Sequence, residues 1–158
     1  MELQTLLANS PQAVLVDLER LRDAFTQTVT AGGLEIEDKS ASFKGSPYLA
    51  LLVTRAETGM AVARFEATEP EFVSLILRNG FEFQENEWSE DWQIWFARQY
   101  GEIALLFARE LGDEEKRKGF LQPREVYVVQ VGTEVFESRR KLSDTELGQL
   151  FTEDGASG

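Results

Sequence analysis

The sequence predicts an α+β protein: a mostly antiparallel sheet with helices packed on one face. Three observations carry that prediction. Apolar residues recur at helical spacing near the start of the chain, at Val14, Leu18, Leu21 and Phe25. Two β-rich runs, 48–55 and 60–67, flank the turn residues Glu57-Thr58-Gly59 and form a hairpin. Helical and strand-like stretches then follow one another without the regular alternation of a parallel α/β fold. The expected order is helix, three strands, helix, two strands, helix, and then a C-terminal strand and helix.

Residues 1–9 form a leader with Leu3, Leu6 and Leu7 at helical spacing. Ser10-Pro11 starts the first helix, because Ser caps an N-terminus and Pro suits the first helical position. Gly32-Gly33 ends it. Leu34 and Ile36 alternate with Glu35 and Glu37, a first strand ahead of the hairpin. Thr68-Glu69-Pro70-Glu71 fits a capping box, so a second helix is expected, with Phe72, Leu75 and Ile76 on its apolar face and Asn79-Gly80 as its stop. Phe81-Glu82-Phe83 returns to alternation.

Residues 91–111 allow two readings. Trp92, Ile94 and Phe96 alternate as in a strand, while Trp92, Trp95, Phe96, Tyr100, Ile103, Leu106, Phe107 and Leu111 keep helical spacing. Gly101 would cost a continuous helix roughly 1 kcal/mol. The preferred reading is a strand to about residue 97 and a helix over 99–111, with one continuous helix as the alternative. Residues 113–118 read as a mixed-charge loop. Val126-Tyr127-Val128-Val129 is a strand running to Val131, and 133–137 extends it or forms another. Ser143-Asp144-Thr145-Glu146 is a second capping box, opening a short helix with Leu147, Leu150 and Phe151. The organisation is one domain over 1–151 and a flexible tail over 152–158.

Composition narrows the chemistry. The 158-residue chain has no Cys and no His. Thiolate metal sites, Cys nucleophiles and His-based triads are therefore unavailable. No Gly-x-x-x-x-Gly-Lys-Ser/Thr loop or Gly-x-Gly-x-x-Gly fingerprint occurs. The formal charge of −12 disfavours nucleic acid and anionic membranes, which bind basic faces. No apolar run has membrane-spanning length. The N-terminus lacks the basic residues of a signal peptide, so a cytoplasmic location is expected.

The densest acidic group is Glu82, Glu85, Glu87, Glu90 and Asp91. It lacks the Gly-anchored spacing of a calcium loop, and a solvated rim is expected rather than a metal or catalytic site. All three tryptophans, Trp88, Trp92 and Trp95, lie close together in sequence. They read either as core or as an aromatic surface for a protein partner. Arg139-Arg140-Lys141 is a short basic run, either solvated surface or a contact for a small anion or acidic partner. The near-continuous apolar strands at 48–53 and 126–131 point to a homodimer.

The 48–67 hairpin, Leu77-Arg78-Asn79-Gly80-Phe81-Glu82, Trp88 and the helix bearing Ala104 together resemble the type III secretion chaperone-like and YbjN-like superfamily. The resemblance implies a helix ending in a Leu-x-x-Gly-Phe turn, a Trp-bearing strand and an Ala-rich helix. It also implies that the chain binds a protein client without catalysis. The expected function is a non-enzymatic protein-binding module, chaperone-like or adaptor-like, with no cofactor and no metal. Phe83, Trp88 and Trp92 are its expected contact residues. The alternative is an acidic inhibitor, such as a toxin immunity or phage anti-defence protein, that blocks a basic surface through Glu82, Glu85, Glu87, Glu90 and Asp91.

Overall fold

The computed structural model describes residues 12–43, 46–68, 72–85, 90–119 and 121–152. The expected leader, the Ser10-Pro11 cap and most of the expected tail lie outside them. Helix α1 spans Gln12–Ala31. Strands β1 (Leu34–Asp38), β2 (Ala41–Phe43), β3 (Ser46–Arg55), β4 (Ala61–Thr68), β5 (Phe72–Leu77) and β6 (Phe81–Glu85) follow. Helix α2 covers Glu90–Ala108. Then come β7 (Asp113–Arg117), β8 (Arg124–Val131), β9 (Glu134–Glu137), β10 (Arg140–Lys141), the short helix α3 (Asp144–Leu147) and a π-helical turn, Gly148–Thr152.

The α+β class holds, with a mostly antiparallel main sheet. That sheet is seven-stranded, in the order β1-β3-β4-β5-β6-β10, with β2 also paired to β3. A second, three-stranded sheet has the order β7-β8-β9. Strand alternation assigns the faces of the main sheet. Leu49, Leu51 and Val53 of β3, Phe65 of β4, Leu75 and Leu77 of β5, and Phe81 and Phe83 of β6 join Leu18, Leu21, Phe25, Tyr100 and Ile103 of the two long helices in one core. Phe25 stacks on Phe65 at 4.2 Å between ring centroids. On the opposite face Leu52 and Ile76 are covered by Leu142, Leu147, Leu150 and Phe151 from the C-terminal segment. Ser143 caps α3 and Glu146 completes the reciprocal bond of the capping box read from the sequence.

Three expectations need correction. Residues 72–77 form a strand, not a helix. In register with β4 and β6, β5 is buried on both faces, so its sequence Phe-Val-Ser-Leu-Ile-Leu is nearly continuous in apolar residues and mimics a helical stripe. At 6 residues it is a strand's length and not a helix's. Asn79-Gly80 turns a hairpin here: Gly80 has φ +102° and its N–H donates to the Leu77 carbonyl at 2.8 Å. Residues 113–117 are not loop but the charged edge strand β7, where side chains of Asp, Glu, Lys and Arg keep other chains from pairing. Residues 90–108 are one continuous helix, the alternative reading, and not a strand followed by a helix.

The apolar runs that pointed to a homodimer are buried within this chain. Ala50 and Leu52 on one face of β3 are as inaccessible as Leu49, Leu51 and Val53 on the other, and Val126 and Val129 of β8 are buried too.

Gly101 lies inside α2 because α1 passes against it. A Cβ built there would stand 2.8 Å from both Thr28 Cβ and Thr28 Cγ2, and 3.5 Å from the Phe25 carbonyl oxygen. Thr28 Cβ is fixed to its backbone, so the helices would have to separate. Gly101→Ala, which helix propensity alone would favour by roughly 1 kcal/mol, is expected to lower unfolding stability by about 1–3 kcal/mol. Urea titration of both forms measures this, and a gain in stability would contradict the packing described.

Candidate functional site

The aromatic face of α2 begins at Trp92, Trp95 and Phe96, spaced i, i+3 and i+4 on one side of the helix. Trp92 meets Trp95 edge-on at 5.5 Å, and Trp95 meets Phe96 edge-on at 4.9 Å. Phe96 continues to Tyr100 at 6.0 Å, and Tyr100 to Phe83 at 6.3 Å. Trp95 also lies 5.9 Å from Phe136 of β9. The rings thus run unbroken from the core to the surface. Phe83 is only 2% exposed at the inner end, while Trp92 at the outer end is 51% exposed.

Beside Trp95, a cleft of about 550 Å³ runs between α1 and α2 and is lined by Arg20, Asp23, Gln27, Ile94 and Arg98. On the other side of Trp95 stands β9, an edge strand that pairs only with β8 among the described residues. The Ser138 N–H donates to the Tyr127 carbonyl, and Val128 faces Glu137 one position further on. By the antiparallel alternation, the N–H groups of Val135 and Glu137 point away from β8. Val135 is itself 59% exposed. An open backbone edge and exposed rings therefore adjoin.

The expected site residues separate in space. Phe83 and Glu82 are buried, and Arg140 Nε donates to Glu82 Oε1 at 2.8 Å. Glu85 is half-buried near Tyr100, whose hydroxyl pKa is raised by burial and, further, by Glu85 and Glu82. Glu90 and Asp91 open α2. Trp88 and Glu87 lie outside the described residues. Of the expected contact residues, Trp92 is the one placed at the surface. Among the described residues, no three metal-ligating side chains gather where an ion could sit.

One polar grouping escaped the sequence reading and a second was visible there only as the run Arg139-Arg140-Lys141, because strand register assembles them. On the face of the main sheet away from the long helices, the Tyr48 hydroxyl donates to Glu66 Oε2 and Arg64 Nε donates to the same oxygen at 2.7 Å. The buried hydroxyls of Thr68 and Ser74, each on a strand beside or including Glu66, have no hydrogen-bond partner among the described residues. The second grouping is basic and joins Arg139, Arg140 and Lys141 to Lys116 and Arg124 around one cleft.

Comparison with protein-family models, with curated proteins and with solved structures finds no match to this chain.

The three tyrosines supply a test of the packing around the site. Burial is the leading cause that raises the pKa of Tyr48, Tyr100 and Tyr127, with Glu66 adding to it at Tyr48 and Glu114 at Tyr127. A raised value means the folded chain holds each phenolic proton more tightly than the unfolded chain does. That stabilisation is full below pH about 10, the ordinary tyrosine value, and is lost as pH rises above it. Native protein titrated with base should show no tyrosinate absorbance at the ordinary pKa, with ionisation arriving together with unfolding. A tyrosine that titrates normally while the circular dichroism stays native would contradict the placement of that ring.

Proposed function

We propose that the protein is a non-enzymatic binding module for a partner polypeptide, chaperone-like or adaptor-like in its action. The observation that carries this reading is the half-exposed Trp92, held edge-on by Trp95 at the surface end of a ring series rooted in the core. Exposing an indole forgoes roughly 1.5–3 kcal/mol of burial, as for other large apolar side chains. Its rigid support means little further ordering is needed on binding, which is the character of an interface hot spot.

The mode is addition of an extended segment at β9. Its backbone would pair with the outward N–H and C=O groups of Val135 and Glu137. Its alternate side chains would fall on the Trp92–Trp95–Phe136 rings and on Val135. Apolar burial then supplies the affinity, so binding should change little with salt.

Selection of random peptides on the immobilised 158-residue chain tests the reading. Enriched peptides should be extended, with apolar residues at alternate positions. Trp92→Ala should weaken them by at least about tenfold. Val135→Pro, which removes one outward N–H, should do the same. Peptides indifferent to both substitutions but lost on Glu85→Gln would contradict the proposal and favour an acidic contact surface.

A further inference from the structure

The chain carries a net charge of −12, yet Lys116, Arg124, Arg139, Arg140 and Lys141 all line one cleft of about 460 Å³, with Glu125 the one carboxylate among the described lining residues. The cleft lies where β10, on the edge of the main sheet, meets β7 and β8 of the small sheet. Some of this charge is structural. Arg140 is bound to Glu82 at 2.8 Å and Glu146 at 3.5 Å, and Lys141 to Glu125 at 3.1 Å.

Three cations remain without a carboxylate salt bridge among the described residues. Arg139 donates to the neutral amide oxygen of Gln84. Arg124 reaches only the Ser138 carbonyl, at 3.5 Å. Lys116 stands opposite Glu125 across the strands, and the ion pair of Glu125 is with Lys141 at 3.1 Å. Arg124 moreover faces Arg117 directly across the β7–β8 ladder. Like charges in that position destabilise a sheet. Arg117 is ion-paired with Glu137 at 2.7 Å and Glu115 at 3.3 Å, whereas Arg124 feels the charge of Glu137 without forming an ion pair of its own among the described residues.

We propose that this cleft binds a compact oligophosphate, a small molecule with two or more linked phosphate groups. Arg124 and Arg139 offer guanidinium forks that match phosphate oxygens bidentately, and Lys116 offers a point charge. The cleft is open and lies in the roughly 300–1,000 Å³ range of small-ligand sites. Among the described residues, no aromatic side chain lines it. Its ligand is recognised by its phosphates. The site is separate from the Trp92 face and does not depend on the function proposed for that face.

Calorimetric titration of the full chain with tripolyphosphate, orthophosphate and an oligoglutamate peptide tests the proposal. Tripolyphosphate should bind one to one, at least about tenfold tighter than orthophosphate, and less tightly as salt is added. The double variant Arg124→Gln, Arg139→Gln should lose about tenfold or more in affinity while melting at no lower a temperature without ligand. Arg98→Gln, in the other cleft, should bind as the parent does. If that double variant fails to fold, Lys116→Gln carries the same expectation with a smaller loss. Absence of saturable tripolyphosphate binding, equal loss in Arg98→Gln, or tighter binding of oligoglutamate would each overturn the assignment.

Discussion

The contact on which most of the molecule depends is the close passage of α1 over α2 at Gly101. With no side chain at that position, Thr28 and the Phe25 carbonyl sit directly on the α2 backbone. Two consequences follow. Phe25 comes down onto Phe65, fixing α1 over the centre of the sheet. The rotation of α2 is also set, because Ala97, Tyr100, Ile103 and Ala104 must then face the core. A helix fixed in that rotation carries Trp92 to its outer side, half in water, with Trp95 and Phe96 graded between surface and interior. The exposed indole is thus a result of helix packing deep in the molecule.

The small sheet is tied to the same helix at its far end. The Tyr127 hydroxyl donates to the Leu111 carbonyl at 2.8 Å, and its ring packs against Phe107 and Phe81. Phe136, two strand positions past Glu134, then reaches Trp95. This brings the open edge of β9 beside the tryptophans on one side, and brings β7 and β8 beside β10 on the other. One packing arrangement therefore creates both the aromatic surface and the basic cleft. The acidic net charge conceals the second, because the sum over the chain says nothing about where the cations gather.

Much of this was legible in the sequence where local chemistry and final environment agree. The 48–67 hairpin, the Ser143 capping box and the Val126–Val131 strand each carry their own turn, cap or β-branched signal. Residues 72–77 misled because burial on both faces erases the two-residue alternation, and because Thr68-Glu69-Pro70-Glu71 imitates a cap. Gly101 misled because its conformational penalty in a helix is visible in sequence, whereas the neighbouring helix that requires it is not. At the candidate site, Trp92 was accessible to sequence reasoning as one of a cluster of tryptophans. Its exposure, the burial of Phe83 and the pairing of Glu82 with Arg140 follow from register and helix rotation, which no local pattern encodes. The Tyr48–Glu66–Arg64 group and the gathering of Lys116 with Arg124 and Arg139 are likewise products of strand pairing.

The central claim is that the rings of α2 and the open edge of β9 act together as one binding face. Amide hydrogen exchange on the full chain, free and saturated with a peptide selected on it, tests that claim most directly. The account predicts that the outward amides of Val135 and Glu137 slow markedly on binding, that the indole protons of Trp92 and Trp95 shift with them, and that β1 and β7 exchange as before. Slowing at β1 or β7 with β9 unchanged would contradict it.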